Sequence, residues 1–159
     1  MSVALMVFLS NTLCIASEDI VVNIESYGRY KADIEKIVNN DNASGGVKVI
    51  SSNIVNIETT KNIPCRIGER FGFTAKYLNL PADRKVTIKK IVTHPPIKQS
   101  NGTILEKSFS EIIVSNAKPI RYTGWLFREG HEYELVPGVW TIKLYSDDKE
   151  IASVEFIVK

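Results

Sequence analysis

The side chains able to carry chemistry are few: His94, His131, Cys65 and a scatter of carboxylates. A Cys65 thiolate beside a histidine would make a nucleophile. Only Arg66 next to it favours the thiolate. A lone cysteine that follows Pro64 and precedes a strand reads more simply as a small apolar residue. His131 lies among Glu129, Glu132 and Glu134, which have the right donor types for a metal. Neither H-x-x-x-H nor H-E-x-x-H spacing occurs, however, and Arg128-Glu129-Gly130-His131-Glu132 reads as a solvated acidic loop. There is no G-x-S-x-G elbow, and Gly45-Gly46 lacks the Lys-Ser/Thr that completes a phosphate loop. Asp147-Asp148 has the composition of a hairpin tip. The expectation is a protein that is not an enzyme, with no cofactor and no bound metal.

Two features suit recognition better than catalysis. Tyr122, Trp125, Phe127 and Tyr133 crowd one segment. On a strand, Trp125 and Phe127 share one face, while Tyr122, Gly124 and Leu126 share the other. One face is then core, or else it offers an aromatic patch to a partner. Ile91-Val92-Thr93-His94-Pro95-Pro96-Ile97 begins as a strand and meets two prolines, which donate no backbone hydrogen bond. The segment should leave the ladder or lie at a sheet edge. His94, Pro95, Pro96 and Ile97 would form a stiff exposed ridge and, with Trp125, a candidate partner-binding surface. The plainer account is that the prolines guard an edge against aggregation.

The frame that must hold these residues is bounded by length and charge. The chain has 159 residues, which suits one domain with its own core. Net charge is +2, so no nucleic-acid partner is implied. Residues 1–16 carry no charge, and Val3 to Leu9 is an apolar run too short to span a bilayer. With small Ala16 and Ser17 ahead of Glu18 and Asp19, residues 1–17 are expected to be a secretory signal peptide, although no basic residue precedes the apolar run. Leu13 before Cys14 argues against lipidation. Removal of the signal would leave Cys65 alone in residues 18–159, without an internal disulfide. A periplasmic or secreted location follows, with no integral membrane span.

Alternation of period two then dominates. Phe71, Phe73, Ala75 and Tyr77 alternate with polar neighbours, as do Trp140, Ile142 and Leu144, and Ala152, Val154, Phe156 and Val158. Ile20, Val22 and Ile24 begin a strand expected to end near Tyr27-Gly28. Val86 and Ile88 alternate with Lys85, Thr87 and Lys89. Arg84, Lys85, Lys89 and Lys90 are expected on the solvent side of a strand and its turn. Ser100-Asn101-Gly102 and Ser146-Asp147-Asp148-Lys149 are turns. Apolar residues on both faces of Val47 to Ile57 suggest a bulge around Ser51-Ser52-Asn53 or a strand covered on both sides. The i, i+3, i+4 spacing of Ile34, Ile37 and Val38 predicts a short helix between Lys31 and Asn39. Together these elements predict an all-β fold, an immunoglobulin-like antiparallel sandwich of about seven or eight strands.

Tyr27-Gly28-x-Tyr30, Ile63-Pro64-x-x-x-Gly68-x-x-Phe71-Gly72-Phe73, His94-Pro95-Pro96 and Glu134-Leu135-Val136-Pro137-Gly138-x-Trp140 occur in that order. Together they resemble the domain of unknown function 3859 family of small exported bacterial proteins, over roughly Ile20 to Val158. The resemblance implies an immunoglobulin-like sandwich and an envelope location, and it supplies no catalytic residues. The function expected is a non-catalytic binding or structural module of the bacterial envelope, acting on an unknown envelope protein or surface ligand. The alternatives are a hydrolase whose site is not visible in sequence and a strand-exchanging assembly factor.

Export with cleavage near Ala16 or Ser17 is the testable part. N-terminal sequencing of protein from the envelope fraction should begin close to Glu18. A cytoplasmic chain that retains Met1 would contradict it.

Overall fold

The computed structural model describes residues 19–159. The expected signal segment and Cys14 lie outside the described residues. Nine strands follow in order: β1 Val21–Asn39, β2 Val47–Glu58, β3 Asn62–Ile63, β4 Arg70–Leu78, β5 Val86–Lys98, β6 Ile104–Val114, β7 Ile120–Leu126, β8 Gly138–Ser146 and β9 Lys149–Val158. They form two sheets, ordered β2-β1-β4-β7 and β3-β9-β8-β5-β6. The count exceeds the expected seven or eight partly because β3 is a two-residue piece. Its pairing with β9 is parallel, the one such pairing among the described strands.

Alternation placed the core correctly. Phe71, Phe73, Ala75 and Tyr77 on β4 face Trp140, Ile142 and Leu144 on β8, and all seven are buried. Trp140 is the hub. Its ring packs edge-on against Phe71 and Phe127, at 5.9 and 5.4 Å between centroids, and lies 5.0 Å from His94. Its indole N–H donates to Val136 O at 3.0 Å, so the buried polar atom has a partner. The expected turns also form. Gly102 takes a positive φ between β5 and β6, and Asp147 does so between β8 and β9. The bulge in β2 falls at Asn53–Ile54, between the pairs Lys31↔Val55 and Asp33↔Ser52.

Three expectations are corrected. Lys31 to Asn39 is strand, not helix, and β1 runs on through Gly28 to Asn39. Nine residues make barely two helical turns, whereas pairing with β2 gives the stretch a ladder along one side, shifted in register between Lys31 and Asp33 and between Ile34 and Lys36. Ile34 and Ile37 are exposed there.

The exposed ridge at His94–Ile97 is also absent. β5 lies between β8 and β6, not at an edge, and His94 and Ile97 are buried. The prolines do leave the ladder. Pairing with β8 ends at Thr93, and the β6 register jumps from Thr93↔Lys107 to Ile97↔Leu105. Three residues therefore oppose one, and the bulge turns His94 onto the core. Pro96 alone of the four is exposed.

The third correction concerns Lys90, which does not share the solvent face of Lys89. It is in phase with buried Ile88 and Val92 and faces the opposite sheet.

β1 is long enough to do two jobs. Val21 to Arg29 pairs with β4, whereas Arg29 to Asn39 pairs with β2. The distal hairpin thus leaves the first sheet as an arm and reaches the edge of the second at β6. Phe109 N–H donates to Asn42 O and Asn40 Nδ2 donates to Phe109 O, both at 2.8 Å. Ser44 N–H donates to Ser108 Oγ at 3.0 Å. Gly72 of β4, paired with Gly124 of β7, lets these strands approach closely. A Cβ on Gly72 would strike the Thr123 backbone, and one on Gly124 would strike the Tyr122 hydroxyl.

Trp140→Ala should lower the unfolding free energy by roughly 3–5 kcal/mol, the cost of truncating a large core aromatic. Urea denaturation measures it. A loss under about 1 kcal/mol would show that the aromatic hub is not what joins the sheets.

Candidate functional site

Where β6 and β7 form neighbouring edges of the two sheets, the sandwich is not filled by side chains. A half-enclosed cavity of about 370 Å³ lies there, walled by β6, β7 and the arm strand β2. Its inner wall is built by alternation that carries polar residues. Lys90 of β5 pairs with Ser110 of β6, so both point inward. Thr123 and Trp125 of β7 lie on the same face as buried Phe127. Lys90 Nζ crosses between the sheets and donates to Gly124 O at 3.0 Å. Three further polar atoms in this wall are buried without a partner: Ser110 Oγ, Thr123 Oγ1 and Trp125 Nε1. Buried polar groups are nearly always paired, and of the four orphans among the described residues three lie in this wall, the fourth being the Tyr77 hydroxyl elsewhere in the core.

The electrostatics point one way. Lys48, Arg70, Lys90, Arg121 and Arg128 line the cavity, against Glu111 and Glu134. None of the five cations is in an ion pair among the described residues, whose pairs involve Arg29, Arg66, Lys143 and Lys149. The cations hold neutral acceptors instead. Arg121 donates to Ile113 O, Arg70 to Ser51 Oγ and Lys48 to Glu111 O. Burial, and then the charge of Lys48, push the Lys90 amine down to about 8. Burial similarly lowers Lys48 and raises Glu134, whose carboxylate accepts from Ser44 Oγ at 2.7 Å. Apolar residues also line it, namely Val49, Ile50 and Ile54 on the arm and Ile112 and Leu126 on β6 and β7.

The residues singled out in sequence fall unevenly around this site. Trp125 is half-buried in the cavity wall, 5.3 Å from Trp140 and 6.0 Å from His94 between ring centroids. Pro95, Pro96 and Ile97 do not line it. His94 stands behind Ser108. Its Nδ1 lies 2.9 Å from Pro95 O, which can only accept, so Nδ1 carries the proton. Burial lowers the His94 pKa and keeps the ring neutral. Nε2 then accepts from Ser108 Oγ at 3.2 Å. Cys65 is half-buried against the core, and burial raises its thiol. His131 bonds Arg128 and Tyr133 in its loop. Among the described residues, no group of three or more His, Cys, Asp or Glu is placed to hold a metal ion. Ser115-Asn116-Ala117-Lys118 has the S-x-x-K spacing of some acylating enzymes, but it is the tight turn between β6 and β7.

Sequence reasoning missed Lys90, Ser110 and Thr123. The signal for Lys90 was present: it holds the middle of the inward series Ile88, Lys90, Val92. No local pattern could have brought the arm over it.

Comparison with known proteins bears on the family and the fold. Residues 18–158 match the family described as Domain of unknown function (DUF3859), and the chain belongs to that family. A crystal structure of an immunoglobulin-like protein from Pseudomonas aeruginosa superposes with a TM-score of 0.66 at 19% identity, covering 91% of this chain and 99% of that one. An alkylpurine DNA glycosylase from Pseudomonas fluorescens gives only 0.42 at 16% identity, over 64% of this chain and 28% of that one. The first likeness establishes the immunoglobulin-like fold. No curated protein matches the sequence.

A half-buried ammonium with one carbonyl partner costs stability. Lys90→Met should therefore raise the unfolding free energy at pH 7, by on the order of 1 kcal/mol. The folded pKa, about 8, lies below the ordinary 10.5, so the unfolded chain binds the proton more tightly. The cost is fully present below about pH 8 and is relieved as pH rises toward 10.5, so the gap between variant and wild type should close across that window. Thermal melts from pH 6 to 10.5 check this. A variant less stable than wild type at pH 7 would contradict it.

Proposed function

We propose that the chain is a non-catalytic binding module of the bacterial envelope, periplasmic or secreted, whose ligand sits in the cavity beneath the β1–β2 arm. One observation carries the reading. An inward-facing lysine and three unpartnered polar atoms share a single cavity wall. Natural cores rarely keep such a group without use, and a concave site with a few convergent polar groups is the usual form of a small-ligand site. The envelope location rests on the uncharged apolar start of the chain. Recognition by an exposed proline ridge is replaced by recognition inside the sandwich, with Trp125 retained.

The hydrolase reading has one specific observation in its favour, the Ser108–His94 pair. Ser108 is only 2% exposed. Its hydroxyl proton goes to His94, and it accepts from Ser44 N–H. Such a pair fastens the arm to β6 and does not present a nucleophile. The strand-exchange reading loses support because the arm is hydrogen-bonded onto the edge of β6.

The test is titration of isotopically labelled protein with the low-mass fraction of an envelope extract. The Trp125 indole N–H and the amides of Ser110 and Thr123 should shift together and saturate, while Asp147 at the far hairpin stays put. Ser110→Phe should abolish the shifts without unfolding the protein. Shifts confined to surface turns would contradict the reading. Hydrolysis of p-nitrophenyl butyrate should stay at the buffer rate, and turnover that disappears in Ser108→Ala would overturn the non-catalytic claim.

A further inference from the structure

We propose that the cavity takes an amphipathic anion, its carboxylate or phosphate head on Lys90 and its apolar body along the β1–β2 arm. The inference rests on the reading of the cavity as a binding site and adds the chemistry of the occupant.

The first argument is charge. Five cations and two carboxylates line the cavity, and no cation there is paired with a carboxylate among the described residues. An ammonium has three protons to donate, and Lys90 places one on a protein acceptor, Gly124 O. Among the described residues no carboxylate is paired with this inward-facing amine. A neutral ligand would leave that amine uncompensated, and a cation would be repelled by Lys48, Arg70 and Arg121. Both choices forgo the charge-assisted hydrogen bonds that an anionic oxygen would make.

The second argument is the kind of group that surrounds Lys90. Ser110 Oγ, Thr123 Oγ1 and Trp125 Nε1 can each donate a hydrogen bond, and each is without a partner. An indole N–H cannot accept, so an acceptor is what this wall lacks. An oxyanion in the cavity would supply one. The depressed pKa of the amine agrees with this arrangement, since an anion would restore it.

The third argument is shape and polarity. Beside its polar groups the cavity is lined by Val49, Ile50, Ile54, Ile112 and Leu126. A bare ion would leave this surface wet. A head with an apolar tail covers it and gains the hydrophobic contribution of each methylene buried.

Decanoate, decanol and inorganic phosphate, titrated separately at pH 7, divide these contributions. Decanoate carries head and tail, decanol the tail without charge, and phosphate the head without tail. The readout is the Trp125 indole N–H resonance, in wild type and in Lys90→Met. Decanoate should saturate the shift at a Kd at least tenfold lower than either of the other two. In Lys90→Met, decanoate and decanol should bind alike. Decanol binding as tightly as decanoate to wild type would overturn the anionic head and leave the cavity as a binding site. Phosphate matching decanoate would overturn the apolar body. A decanoate preference that survives in Lys90→Met would remove Lys90 as the anchor. Failure of all three probes to move the Trp125 resonance would overturn this inference, while the extract titration decides separately whether the cavity is a binding site.

Discussion

Lys90 stands in the row Ile88, Lys90, Val92 and His94 that β5 turns toward the opposite sheet, and an ammonium there cannot be packed as a methyl group would be. The structure around it follows from that constraint. Its cross-strand neighbour is Ser110, not a branched aliphatic residue. The facing positions on β7 are Thr123 and Trp125. The sheets stay apart on this side, and the gap becomes a cavity. On the other side Trp140, Phe71 and Phe127 interlock edge to face and close the core completely. One sandwich thus has a sealed aromatic half, which supplies the stability, and an unsealed polar edge, which costs some of it.

The arm makes the unsealed edge compatible with folding. Two neighbouring free edges, β6 and β7, would otherwise offer unpaired backbone groups to other chains. The continuation of β1 beyond β4, paired with β2, crosses to β6 and is fastened by Phe109, Ser108 and Lys48 contacts. Its apolar residues roof the cavity. Ser108 is central to that fastening, receiving the Ser44 N–H and donating to a neutral His94 whose tautomer is fixed by Pro95 O. The prolines therefore matter less for stiffness than for the bulge that brings His94 to Ser108.

Much of the fold was legible in the sequence because alternation and turn chemistry are local. Phe71 to Tyr77 and Trp140 to Leu144 each declare a buried face within one strand, and Asn101-Gly102 and Asp147-Asp148 declare their turns. The errors have physical reasons. Ile34, Ile37 and Val38 have helical spacing, but they lie in an arm whose partner strand decides its conformation and which leaves Ile34 and Ile37 exposed. Pro95-Pro96 signalled a departure from the ladder correctly. Nothing local said that β5 has neighbours on both sides and that the departure would fold inward. The site was least legible. Lys90 looked like part of a basic run because Lys89 precedes it. Only the phase set by Ile88 and Val92 separates an inward lysine from an outward one. The meeting of Lys90, Ser110, Thr123 and Trp125 depends on three strands and an arm that are far apart in the chain.

The central claim is that Lys90 is a desolvated amine waiting for an anion. Titration of its Cε resonance, with the methyl-capped Lys90→Met variant fixing the assignment, measures that directly. Lys48 of β2 is the charge that acts on Lys90, and Arg70 of β4, Arg121 of β7, Glu111 of β6 and Glu134 line the same cavity. The account predicts a midpoint near pH 8 in the free protein and an upward move when decanoate is bound, because the anion favours the charged amine. An ordinary midpoint near 10.5 in the free protein, unmoved by decanoate, would contradict it.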